Sequence, residues 1–186
     1  MINAILNLPP LRMLIDQYEL RARKSLAQHF LLDLNITRKI AKTAGPLEDY
    51  TVIEIGPGPG GLTRALLLEG AKKVIALEKD TRCVAALSPL QEAAQGRLEV
   101  READALKTPL KELCEGPTKI VANLPYNIAT PLLMDWLPHL KDIESLTLMF
   151  QKEVAQRLCA SPSSKAYGRV SVLTQFYTHP QMMFDL

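Results

Sequence analysis

Between Thr51 and Thr63 the chain reads Thr-Val-Ile-Glu-Ile-Gly-Pro-Gly-Pro-Gly-Gly-Leu-Thr, and no other stretch restricts the possible folds as much. Val52 to Ile55 is short, β-branched and broken only by Glu54, which predicts a buried strand; Leu62 to Leu68 predicts a helix. The glycines between them are the turn. Such a joint points the first amides of a helix at a ligand, and the missing Cβ atoms let that ligand approach. Gly56, Gly58 and Gly61 match G-x-G-x-x-G, the dinucleotide fingerprint. The match alone is weak, because a glycine turn opening a helix can be only a tight connection.

The neighbouring residues strengthen it. Val74 to Leu77 is a second short apolar run, and it ends at Glu78, about the distance from Gly56 at which an acidic residue binds ribose hydroxyls. Two ligand classes satisfy this pattern: a nicotinamide or flavin dinucleotide, and S-adenosylmethionine, which also carries a ribose and an adenine.

A chain of 186 residues, 47% of them hydrophobic, has room for one domain with a real core and too little for two. Its 22 Lys and Arg nearly balance 20 Asp and Glu, so nucleic-acid binding has to come from local patches. Cys83, Cys114 and Cys159 are odd in number and too widely spaced for a C-x-x-C motif. Reduced thiols in a cytoplasm are expected, with no zinc and no structural disulfide. No signal peptide and no apolar run near about 18 residues is present, so neither secretion nor membrane spanning is expected.

Residues 1–23 read as an N-terminal extension, with Pro9-Pro10 ahead of a short amphipathic helix carrying Leu11, Leu14 and Ile15. Residues 24–186 read as one domain. Arg21, Arg23 and Lys24 precede a polar-aromatic cluster and suit either phosphate binding or a solvated turn. Asn35 is the expected cap of a helix through Lys42, and Asp80 of a helix interrupted at Pro89. Leu98 to Arg101 predicts a third strand, followed closely by Asp104, which suits either a hydrogen bond from an adenine amine or a turn cap. Lys119 to Ala122 predicts a fourth strand, followed by Asn123-Leu124-Pro125-Tyr126-Asn127. Thr130 and Pro131 suit the start of a helix through Leu137. Leu146 to Phe150 and Lys152 to Ala160 predict a fifth strand and a further helix.

Alternating strands and helices imply an α/β fold with a doubly wound, mostly parallel sheet. Ligands of such sheets lie beyond the carboxyl ends of the strands. Gly56, Glu78, Asp104 and Asn123 each follow a successive strand, so this topology brings all four to one rim.

In these motifs the chain resembles the KsgA-type ribosomal RNA adenine dimethyltransferases, Rossmann-like S-adenosylmethionine enzymes acting on paired adenines of small-subunit RNA. The resemblance runs from Lys24-Ser25-Leu26-Ala27-Gln28-His29-Phe30-Leu31-Leu32-Asp33 through Glu54 to Thr63, Leu77 to Asp80, Asp104-Ala105 and Asn123 to Asn127. It continues in Gln151 to Leu158 and Lys165 to Val172. It implies that His29 and Leu31 line the cofactor site, that Gly56 and Gly58 pass under the cofactor's amino-acid end, and that Glu78 holds its ribose. Asp104 and Ala105 are implied to read the adenine, Asn123 to border the cofactor, and Asn123, Leu124, Pro125 and Tyr126 to hold the target base. No metal is called for. A cytoplasmic monomer working on small-subunit ribosomal RNA within the assembling subunit is implied. Arg21, Arg23, Lys24, Arg157, Lys165 and Arg169 are assigned here to a phosphate-facing edge.

Two departures stand out. Ala27 occupies a position where the family usually has Gly, and relatives continue past the point that matches Leu186. The expectation is therefore a domain incomplete at its C-terminal end, with Gln181 to Phe184 resembling a strand that lacks its usual neighbour and the last residues disordered or paired with another chain. Other readings are a large-subunit resistance-type methyltransferase, a mitochondrial-type transcription factor acting by binding, and a dinucleotide-dependent oxidoreductase.

Overall fold

The computed structural model describes residues 2–20 and 30–185. Five strands form one sheet: β1 (Thr51–Ile55), β2 (Lys73–Glu78), β3 (Leu98–Glu102), β4 (Thr118–Asn123) and β5 (Ile143–Met149). All four pairings are parallel, in the order β3-β2-β1-β4-β5. The chain moves outward from β1 to β3, then returns to place β4 on the other side of β1. The switch point therefore falls between β1 and β4, both of which carry near-continuous apolar runs because helices cover both faces.

Along β1 the side chains alternate between two cores. Val52 enters the cluster beneath helices α3 (Leu34–Thr43), α4 (Gly61–Leu68) and α5 (Thr81–Ala93). Ile53 and Ile55 enter the opposite cluster with Leu132 and Trp136 of α6 (Tyr126–Trp136). Ahead of the sheet, α1 (Ile2–Leu6) and α2 (Leu11–Gln17) bury Ile5, Leu11 and Leu14. The Arg64 guanidinium of α4 donates to Pro9 O at 2.8 Å, which ties this extension to the domain. At the far side, α7 (Lys152–Leu158) and α8 (Arg169–Tyr177) pack Leu158, Val170 and Leu173 against Leu133 and Leu137.

Several helix limits differ from the expected ones. Asp33, rather than Asn35, caps α3; its Oδ1 accepts from Asn35 N at 2.7 Å. Helix α5 does not stop at Pro89 but continues to Ala93, because Leu87 and Leu90 are buried on either side of it. Helix α6 starts at Tyr126, not at Thr130. Ile128 and Ala129 both donate to Pro125 O, and the Ala129, Leu132, Leu133, Trp136 stripe is buried, so Pro131 is carried inside the helix. Helices α1 and α8 were not expected from the sequence pattern. Residues 178–185 form no strand, and instead of the expected disorder or pairing with another chain they pack on their own domain: Phe184 lies against the first core under Lys39, and Asp185 pairs with Lys152 at 2.5 Å. No helix among the described residues is long and apolar enough to cross a membrane.

Candidate active site

The glycine turn leaves β1 at Gly56 and enters α4 at Gly61. An added Cβ on Gly56 would sit 3.5 Å from the Pro125 ring, so the ends of β1 and β4 touch at the switch point. Gly58 has φ +56, and a Cβ there would meet the Phe30 ring at 2.8 Å. Both facts demand glycine: the backbone is left-handed, and an aromatic ring lies where a side chain would go.

A cleft opens at this rim. Its walls are Gly56 and Gly58, Leu77 to Asp80 at the end of β2, Ala103 to Leu106 after β3, Asn123 to Ile128 from the end of β4 onward, and Phe30. The structure thus gathers Gly56, Gly58, Glu78, Asp104, Ala105, Asn123, Leu124, Pro125 and Tyr126, nine residues singled out from the sequence. Leu31 does not line the cleft; its backbone lies against Gly61 and its side chain joins the first core. His29, Ala27, Arg21, Arg23 and Lys24 lie outside the described residues. Arg157, Lys165 and Arg169 are exposed on and beside α7 and α8, and none of them walls the cleft.

The carboxylates of the rim are engaged in different ways. Glu78, 5% exposed, accepts Gly58 N at 3.0 Å on Oε2 and the amides of Lys79 and Asp80, each at 2.8 Å, on Oε1. A carboxylate has about four lone-pair sites, so Oε2 retains one for a ligand hydroxyl. Burial raises the Glu78 pKa, while the amides of Asp80, Gly58 and Lys79 pull against it. Asp104 accepts Leu106 N at 3.1 Å on Oδ1 and Lys79 Nζ at 2.9 Å on Oδ2. The Lys79 ammonium holds this carboxyl below the usual carboxylate range.

Below the glycine turn lies an acid to which the sequence pattern gave no role. Glu54, at mid-β1, is 1% exposed, and its pKa is pushed up to about 8, chiefly by burial. Among the described residues neither Glu54 Oε2 nor the Oγ1 of Thr63 makes a hydrogen bond. Arg82 links the rim to the N-terminal extension: Nη2 reaches Asp80 Oδ2 at 2.6 Å and Nη1 donates to Glu19 O at 2.7 Å.

Phe30, Lys79 and Leu106 are wall residues that the sequence pattern did not assign. Phe30 lies in a stretch already singled out, next to two positions that were assigned. Lys79 and Leu106 flank expected residues and carry no pattern of their own. The cleft is apolar below, with Ile55, Leu77 and Leu124 buried, and polar at its lip. It can therefore hold a nucleoside while offering carboxylate and amide acceptors to its hydroxyls and amine. Among the described residues no three His, Cys, Asp or Glu converge as a metal site would require.

The family profile described as ribosomal RNA adenine dimethylase matches residues 19–185. The chain belongs to this family. A ribosomal RNA small subunit methyltransferase A from Azorhizobium caulinodans is 55% identical across 99% of the chain, which spans 65% of that relative's length. Among solved structures, a dimethyladenosine transferase from Plasmodium falciparum is 34% identical, with a TM-score of 0.67 over 78% of this chain and 51% of its own. The 23S rRNA methyltransferase ErmE is also 34% identical, with a TM-score of 0.64 over 78% of this chain and 55% of its own. Membership of the adenine dimethylase family sets aside the dinucleotide oxidoreductase as a reading of the glycine fingerprint.

Proposed function

We propose that this chain transfers methyl groups from S-adenosylmethionine to the exocyclic amine of two adjacent adenines in small-subunit ribosomal RNA, acting on the assembling subunit in the cytoplasm. The observation that carries this is the meeting of two half-sites at the switch point. The turn at Gly56 and Gly58, with Glu78, Asp104 and Ala105, suits a nucleoside bearing an amino-acid tail. Asn123-Leu124-Pro125-Tyr126 closes the other end of the same cleft.

When bound, S-adenosylmethionine supplies an electrophilic methyl on a sulfonium. The protein's task is to present the acceptor amine. Its lone pair is delocalised into the adenine ring, so the base needs acceptors that grip the amine hydrogens and turn the lone pair outward. The Asn123 side-chain oxygen and the Leu124 carbonyl serve this purpose, and Tyr126, 37% exposed at the lip, offers a π-face to a base drawn out of its stack. Pro125, packed on Gly56, holds that segment against the cofactor end. Rate then comes from positioning two reactants in line. His29 completes the cofactor side in this reading, and Arg21, Arg23, Lys24, Arg157, Lys165 and Arg169 face the phosphates. The active unit is a monomer in which residues 1–23 are an extension of the domain at 24–186.

The small-subunit target is preferred to the large-subunit one because the relative that is 55% identical carries the small-subunit name, whereas the 23S enzyme is 34% identical. The test is competition between the two RNAs. With labelled S-adenosylmethionine, unmethylated small subunits should accept label and large-subunit RNA should not; the reverse would overturn the choice of target.

A further inference from the structure

Lys79 is a wall residue with no part in the scheme above. Its side chain is 68% exposed, yet Nζ is held 2.9 Å from Asp104 Oδ2 across the cleft mouth. Asp104 Oδ1 is tied to Leu106 N, so Oδ2 is the oxygen free of the backbone. That oxygen is the natural acceptor for a purine amine in the proposed cofactor site. An ammonium already placed there donates to the same lone pairs and neutralises the charge that would attract the amine.

We infer that Lys79 is a latch on the adenine end of the cleft, competing with the ligand's exocyclic amine for Asp104 and so setting both affinity and selectivity for adenine. The inference rests on the proposed S-adenosylmethionine reading. When the amine takes Oδ2, the Lys79 ammonium swings to solvent; the stem is long, and among the described residues Asp104 is what holds Nζ. Opening an exposed ion pair is easy, so the latch tunes affinity over a narrow range instead of blocking the site. It also gives the cleft a sense of base identity. A ring with a carbonyl in place of the amine presents an acceptor, which Lys79 can satisfy where Asp104 cannot.

The test is calorimetric titration of S-adenosylhomocysteine, and of its inosyl analogue with a carbonyl replacing the amine, into the protein and its Lys79→Leu and Lys79→Arg variants. Lys79→Leu should bind S-adenosylhomocysteine about 2–5-fold more tightly at about 50 mM salt, with the gap narrowing at about 500 mM as the ion pair is screened. Lys79→Arg should behave like the parent. For the inosyl analogue Lys79→Leu should bind no better, or worse. Equal or weaker S-adenosylhomocysteine binding by Lys79→Leu, or the same gain for both ligands, would overturn the latch while leaving the cofactor reading standing. No S-adenosylhomocysteine binding by any of the three proteins would overturn both.

Discussion

Glu54 is a carboxyl only 1% exposed, and the consequence for stability follows from the sign of its pKa shift. Its folded pKa of about 8 lies above the ordinary carboxylate value, so the folded protein keeps a proton that the unfolded chain releases. Stability contributed by this group is complete at low pH and declines as pH rises from the unfolded pKa toward about 8. Above that it changes no further. Chemical denaturation of the protein and of Glu54→Gln from pH 5 to 9 should show the parent losing ground to the variant by a few kcal/mol on the order of magnitude set by such a shift. Parallel profiles would mean that Glu54 is ionised in the fold. The raised pKa was not legible beforehand, since Glu54 read only as an interruption in an apolar strand. Glu78 and Asp104 were legible because each stands at or just beyond a strand's carboxyl end, where topology alone assigns a place. Lys79 was not, because its meaning depends on a partner 25 positions away that only the fold brings near.

Among the elements, strands were read well and helix ends poorly, for one physical reason. A parallel strand is buried on both faces and shows as a continuous apolar run, as in β1, where all five residues are buried. Helix limits depend on proline, whose cost is local but whose fate is decided by packing. Thr130-Pro131 has the chemistry of a helix start, yet the buried stripe from Ala129 to Trp136 already belongs to a helix begun at Tyr126. Pro89 likewise lies within α5, between two buried leucines. A proline there removes an amide donor and crowds the carbonyl one turn back, so Pro89→Ala should raise stability by about 1–3 kcal/mol, read as a higher denaturation midpoint at unchanged slope. A lower midpoint would show that the helix is adapted to the kink. Helix α8 escaped prediction because its residues lack a clear apolar period; only Ser171 and Thr174 are buried in it.

Across the whole molecule, the order β3-β2-β1-β4-β5 turns separate sequence motifs into one cleft: each strand delivers its motif to the same rim, and the reversal between β1 and β4 sets the glycine turn against Pro125. The sheet is unevenly covered. β1 is wholly buried, whereas no residue of β5 is, and β5 is an edge strand among the described residues. The account's central claim is that this cleft joins a cofactor half to a base half built around Asn123 to Tyr126. The direct test is transfer of labelled methyl groups to unmethylated small ribosomal subunits by the protein and by Tyr126→Ala, with product nucleosides identified and S-adenosylhomocysteine affinity measured on both. The parent should yield dimethyladenosine. The variant should lose about 10–100-fold in turnover, as expected for one stacked base, at nearly unchanged affinity. Label on a nucleoside other than adenosine, or full turnover in Tyr126→Ala, would contradict the two-half cleft.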